Sequence, residues 1–423
     1  MRFIREHAKE VEENLKRRND PELIEMLHEL LELDKRWREL DKEINQLRKE
    51  RNKMAEYIEK LKMQNKPIEE QIKKARALPK KIAELEKEAK ALKDRIRILQ
   101  LNIPNMLHES VPYGRDENDN VEVERWGKPK KPEFELLHHG KLAQQLELAD
   151  FARAVKISGA GFYFLKNELV LLEFALIRFA LDELAKKGYT LLTPPLLMRR
   201  RPYEGCVSLE DFENVMYKVE NEDLYLIATA EHPIAAMYMN EILEEKDLPI
   251  KYCALSQCFR REIGKHSVDE RGLFRVHQFN KVEQFIFCKP EDSWQYHEEL
   301  INNTKELFKK LEIPFRVVNV CTGDLGKIAA KKYDLEIWSP REQKYIEAAS
   351  CSNCTSYQAV RLNIKFRRGQ EKEYVHTLNS TAIATPRTMR VILETYQRKD
   401  LRIEVPRVLR PYMNGISCIP SKE

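Results

Sequence analysis

The sequence predicts an α+β protein with a long helical hairpin at its N-terminus, on three observations. Residues Pro21 to Gln100 hold no glycine and repeat apolar side chains at heptad spacing. Farther on, segments rich in β-branched and aromatic residues, YCALSQCF and RVHQFNKVEQFIF among them, have strand character. Finally, no alternating βαβ series with a glycine-rich nucleotide loop is present, which disfavours a doubly wound parallel sheet.

Composition narrows the class. The 423 residues carry 34% charged side chains, only 13 glycines and a net charge of +5, so a helix-rich protein of two or three domains with a charged surface is expected. No apolar run reaches the roughly 18 residues of a membrane span; LVLLEFALIRFAL is interrupted by Glu173 and Arg178. MRFIREHAKEVEENL lacks an apolar secretory core, and the eight cysteines are scattered as reduced thiols are, so a cytoplasmic protein is expected.

The arm comes first. Leu33, Trp37, Leu40, Ile44, Leu47, Met54, Ile58 and Leu61 trace one seam, and Ile68, Ile72, Ala75, Ile82, Leu85, Ala89, Leu92, Ile96 and Leu99 a returning one. Between them Gln64-Asn65-Lys66-Pro67 makes the break, so residues 1–103 form a helical domain with its tip near 63–67 and residues 104–423 a second domain. Helices of about 40 residues make an arm of roughly 60 Å. Pro79 is expected to kink the return helix or start a new one. Residues 41–80 carry twelve Lys/Arg against seven Asp/Glu, a surplus equal to the whole chain's net charge. A solvated coiled coil or a dimer seam would account for this, and so would a reader of RNA backbone shape.

Prolines and polar residues from Ile103 to Gly140 form the connector. A helix from Asn167 to Lys187, closed by Gly188, feeds the strand GYTLL, which Pro194 and Pro195 stop. LYLIATAE is a strand leading to a helix, where Thr229 and Glu231 either cap that helix or bind an ammonium group. His232 is expected to be structural.

Next comes the stretch Phe259 to Glu283, FRREIGKHSVDERGLFRVHQFNKVE, expected as strand, loop and returning strand. Arg260 and Glu262, two apart, would share one face of an extended strand, with Arg275 and Glu283 on the return strand. Paired guanidiniums and carboxylates suit a small polyanion bearing an amino donor, and also suit surface ion pairs.

Downstream lie an amphipathic helix at 292–311, the strand FRVVNVC, the segment YDLEIWSP and a strand KYIEAASCSNCTSYQAVR. The pair Cys351 and Cys354 has poor partners for a zinc site, so no structural zinc is expected. HTLNSTAIATPRTMRVILETYQ is expected as a strand over His376–Leu378, a small-residue turn and a helix from Pro386 to Gln397 with Arg387 at its positive end.

The FRRE and RVHQFNKVE strings resemble motif 2 of the class II aminoacyl-tRNA synthetases, and the HQF form is most similar to the seryl-tRNA synthetases of the common cytosolic, non-methanogen type. The helix, strand and prolines about 65 residues earlier resemble motif 1, and the HTLNST to TPRTMR segment resembles motif 3. The resemblance spans essentially the whole chain and implies a catalytic domain on an antiparallel sheet flanked by helices, plus an N-terminal coiled coil. It implies a serine–tRNA ligase that makes seryl-adenylate from serine and ATP, then acylates the terminal adenosine of tRNA(Ser), held by the arm. A homodimer is implied through motif 1.

By resemblance, Arg260, Glu262, Arg275 and Arg387 are the catalytic set. Arg260 bridges the serine carboxylate and the α-phosphate, Glu262 accepts from the adenine amino group, and Arg275 neutralises the outer phosphates. Phe279 and Arg387 sandwich the adenine, a cation–π contact of about 0.5–2 kcal/mol, with Val276 beside them. Glu347 and Ser350 hold Mg²⁺ with ATP. Thr229, Glu231 and Glu283 enclose the amino group and hydroxyl of serine, with Asn379 and Thr381 completing the pocket.

Three positions depart from the family pattern. Ser380 stands where Gly or Ala is usual and bears on the fit of the serine pocket, Val391 replaces a common Ala, and Arg390, in place of an apolar residue, is expected to face solvent. Two other classes remain: a related ligase loading a carrier protein, which would lack the arm, and a non-catalytic RNA-binding protein, which would not need Arg260, Glu262, Glu283 and Arg387 together.

Overall fold

The computed structural model describes all residues except 130, 209–213, 263–271, 274 and 422–423, and falls into two compact units, Met1–Met106 and Leu107–Glu423.

The first unit is helical: α1 (Arg2–Glu6), α2 (Ala8–Lys16), α3 (Pro21–Met63) and α4 (Glu69–Asn102). Asp20 starts α3 by accepting from the Glu22 amide at 3.0 Å, with Pro21 preset for the first turn. Asn65, at φ +52°, turns the chain between α3 and α4. At the base Val11 and Leu15 of α2 pack with Leu23, Leu27, Leu30, Ile96 and Leu99; farther out Ile44, Leu47 and Ile82 meet. α4 continues through Pro79 without restarting. The seam holds one buried charge, Asp34, which accepts from Arg5 at 3.0 Å and Arg38 at 3.0 Å. Exposed pairs such as Arg48–Glu86 and Arg95–Glu29 cross from helix to helix, and water screens them to a minor contribution.

The second unit is built on an eight-stranded sheet: β1 (Val121–Trp126), β2 (Thr190–Leu192), β3 (Ile250–Phe259), β4 (Gln278–Cys288), β5 (Phe315–Asn319), β6 (Lys331–Ser339), β7 (Lys344–Asn353) and β8 (His376–Ala384). Their order is β1-β5-β6-β7-β8-β4-β3-β2, antiparallel throughout except that the edge strand β2 runs parallel to β3. Its helices are α5 (His139–Gln145), α6 (Phe151–Ser158), α7 (Glu168–Lys186), α8 (Arg200–Cys206), α9 (Glu231–Ala236), α10 (Ser293–Lys310), α11 (Tyr357–Leu362) and α12 (Thr385–Thr395). Period-two alternation divides the core: Val282, Ile286 and Cys288 of β4 join the cluster under α7, α10 and α12, while Phe285 and Phe287 join a second cluster with α8, α9 and α11.

Several expected boundaries move. β3 ends at Phe259 and β4 begins at Gln278, so Arg260, Glu262 and Arg275 lie beyond the ladder rather than on it. The chain leaves the sheet because the Arg261 amide donates instead to Val215 O, and Glu262 takes φ +45°. The loop at 263–271 lies outside the described residues. The strand foreseen through Arg361 stops at Asn353, whose side chain accepts from the Thr355 amide at 2.9 Å, and Tyr357–Leu362 is helical. The small-residue turn of the last motif is strand: β8 runs through Ala384, and its Ser, Thr and Ala side chains fit a central strand covered on both faces.

Candidate active site

Two strand irregularities aim the site. In β7, Leu335 pairs with Ala349 and Glu336 with Glu347, leaving Ala348 as an extra residue. This bulge brings Glu347 and Ser350, three apart, onto the same face, where unbroken alternation would oppose them. A similar bulge at Ala382 in β8 follows Thr381, which pairs with Glu283.

On β4 alternation sends Phe279, Lys281 and Glu283 to that face, opposite the small Ala254 and Ser256 of β3. The Arg260 guanidinium lies 5.3 Å from the Phe279 ring centre and donates to Ala228 O at 3.4 Å. Arg275 donates to Glu262 at 2.7 Å. Across the cleft Arg387, in the first turn of α12, donates to Glu347 O at 2.7 Å and sits 3.2 Å from its carboxylate. Arg387, aided by Lys332, holds Glu347 below the usual carboxylate range.

The cleft thus gathers all eight residues expected around the nucleotide, Arg260, Glu262, Arg275, Val276, Phe279, Glu347, Ser350 and Arg387, together with Thr381. The residues expected around serine form a corner behind it. Thr381 donates to Glu283 at 3.3 Å, and Thr229 Oγ1 accepts from the Glu231 amide at 3.2 Å. Glu231 accepts from Gln358 at 2.8 Å and is pushed up to about 7, by burial first and by Glu283 second. Asn379 is buried and donates toward Cys354 Sγ at 3.7 Å. His232 is buried against the Tyr203 hydroxyl at 3.1 Å, a structural position.

Two departures resolve differently from expectation. Ser380 faces away from the pocket, its hydroxyl 3.3 Å from that of Thr304 on α10, so it does not shape the serine corner. Arg390 is 1% exposed, not solvent-facing: it donates to Glu394 at 3.0 Å and contacts Glu342, because α12 is covered on that side. The structure also adds residues that the sequence did not single out. Lys281 lines the cleft and pairs with Glu283 at 2.6 Å, both side chains under 10% exposed. Its spacing of two from Phe279 and from Glu283 was the available signal. Asp334, opposite Ser350 in the ladder, is buried; Lys332 holds one oxygen at 3.0 Å while Oδ1 has no hydrogen-bond partner.

The chain matches a family model of the seryl-tRNA synthetase N-terminal domain over residues 1–107 and one of the tRNA synthetase class II core domain (G, H, P, S and T) over residues 216–396. It is 55% identical over 417 residues to the serine–tRNA ligase of Methanospirillum hungatei, covering 98% of each chain. The chain belongs to the seryl-tRNA synthetase family. Among solved structures, the seryl-tRNA synthetase of Pyrococcus horikoshii complexed with ATP is similar with a TM-score of 0.93 at 49% identity, covering 100% of this chain and 99% of that one. The cytoplasmic serine–tRNA ligase of Naegleria fowleri in complex with AMP gives 0.84 at 36% identity, covering 98% and 95%.

Proposed function

We propose that this cleft joins serine to ATP and that the protein passes the seryl group to tRNA(Ser). The observation that carries the reading is the pairing of cleft and corner: guanidiniums from both walls meet over one floor, and two carboxylates close its inner end. A serine carboxylate oxygen attacks the α-phosphorus in line and pyrophosphate leaves; a ribose hydroxyl of the terminal adenosine then attacks the seryl carbonyl and AMP leaves. Two anions must meet, so the rate comes from positioning and charge neutralisation, with no nucleophilic side chain.

Arg260, between Phe279 and the Thr229–Glu231 turn, bridges carboxylate and α-phosphate. Arg275 exchanges Glu262 for the outer phosphates, which leaves Glu262 to accept from the adenine amino group. Arg387 exchanges Glu347 for the face of adenine, opposite Phe279. Glu231, Glu283 and Thr229 take the ammonium and hydroxyl of serine, with Asn379 and Thr381 beside them; alanine would leave these buried groups unpaired and is rejected.

Glu347 and Ser350 are suited to Mg²⁺ arriving with ATP: the bulge presents both oxygens on one face, and the unpartnered Asp334 Oδ1 supplies a nearby acceptor. Bound there, the ion would neutralise phosphate charge. Among the described residues no three His, Cys, Asp or Glu side chains converge on one point.

The arm, with its cationic outer half, reads the shape of tRNA(Ser). A second copy of the chain covers Leu171 and Phe174 of α7 and Leu191 of β2, which are 38%, 59% and 46% exposed. No described helix is long and apolar enough to cross a membrane; the enzyme works in the cytoplasm beside its tRNA. The test is ATP–pyrophosphate exchange with each of the twenty amino acids, without and then with tRNA. Exchange with serine alone, followed by serylation, supports the reading; exchange with another amino acid overturns the pocket assignment, and none at all overturns the activity.

A further inference from the structure

His139, the first residue of α5, is fully buried between two parts of the site without touching the cleft. Its Nε2 accepts from the Leu273 amide at 3.3 Å. That leaves the ring proton on Nδ1, which lies 3.4 Å from Glu394 on α12. Glu394 is itself fixed by Arg390 at 3.0 Å and by the Ser339 hydroxyl at 2.5 Å.

The residue two before α5 is tied to the residue two after α12. The Gln397 side chain accepts from the Leu137 amide at 2.9 Å and donates to Leu137 O at 3.2 Å. On the other side Gly272 is seated on the imidazole: its φ is +93°, and a Cβ there would stand 2.9 Å from His139 Nε2 and 3.4 Å from Gly140 Cα. Only glycine fits. Two residues beyond Leu273 comes Arg275, and α12 carries Arg387 in its first turn.

We infer that His139 is a positioning residue for ATP. It transmits the fixed placement of α12 to the return limb of the hairpin, so that Arg275 and Val276 face Arg387 at the separation the nucleotide needs. The neutral ring with its proton on Nδ1 does this because it faces a carboxylate at 3.4 Å through Nδ1 and accepts from an amide through Nε2. This rests on the assignment of Arg275 and Arg387 to ATP, which exchange by the unaltered enzyme tests separately.

The experiment is serine-dependent ATP–pyrophosphate exchange with His139→Phe, which fills the space without either polar contact, and His139→Gln, which can both donate and accept. For His139→Phe the KM for ATP is expected to rise about tenfold with the KM for serine within about twofold, and His139→Gln to return most of the ATP affinity. Equal rises in both KM values, no change with Phe, or no rescue by Gln would each overturn the inference. If His139→Phe fails to accumulate folded, Gly272→Ala must give the same ATP-selective rise; a uniform loss there counts against it.

Discussion

At the scale of single residues the proposed serine corner is set by two acids close together. Burial and Glu283 raise Glu231 to about 7, so below that pH it carries a proton and cannot pair with the ammonium of serine. As pH falls from 8 to 6 the KM for serine is expected to rise about tenfold while that for ATP stays flat. Steady-state exchange across that range checks it, and Glu231→Gln should abolish the slope along with most of the serine affinity. Lys281 makes the opposite contribution, since its ammonium offsets Glu283 at 2.6 Å. Lys281→Met should lower unfolding stability by about 3–5 kcal/mol by stranding a buried carboxylate, and adding Glu283→Gln should recover much of it, as denaturant titration would reveal. Motif strings made Arg260, Glu262, Arg275 and Arg387 legible. Asp334 and His139 were not, because what marks them is a strand register or a neighbour far along the chain.

Among elements, the bulge at Ala348 is what puts Glu347 and Ser350, three apart, on one face. Deleting Ala348 should restore simple alternation, turn Glu347 to the other face and cut exchange at least about 100-fold, with a modest loss of Tm by calorimetry. Loss of folding in step with activity would contradict the assignment. Heptad spacing made the arm readable, since a long helix repeats its signal. The sequence of β8 concealed its nature: Asn379 to Ala382 are small and polar, which suggests a turn, yet they occupy a strand buried on both faces. α11 was hidden for the related reason that its start depends on the left-handed Thr355, at φ +47°.

For the whole molecule, the proposed reading assigns tRNA to the arm and the chemistry to the second unit. Removing roughly Arg48 to Lys80 should leave exchange nearly intact and abolish aminoacylation; joint loss would argue against a separate tRNA-binding arm. With the full chain, tRNA affinity should fall steeply between about 50 and 200 mM salt while exchange changes little, as filter binding and exchange assays would show. Phe174→Asp should shift sedimentation toward monomer if α7 pairs across a twofold axis. The buried Asp34, gripped by Arg5 and Arg38, has a consequence of another kind. Arg5 belongs to α1 and Arg38 to α3 itself, so the carboxylate ties the first short helix to the long one rather than α3 to α4. Removing either cation would strand a buried charge at the root of the arm. Asp34 is therefore a hinge pin at that root, and Asp34→Leu should free α1 while leaving the pairing of α3 with α4, and so the arm's length, unchanged.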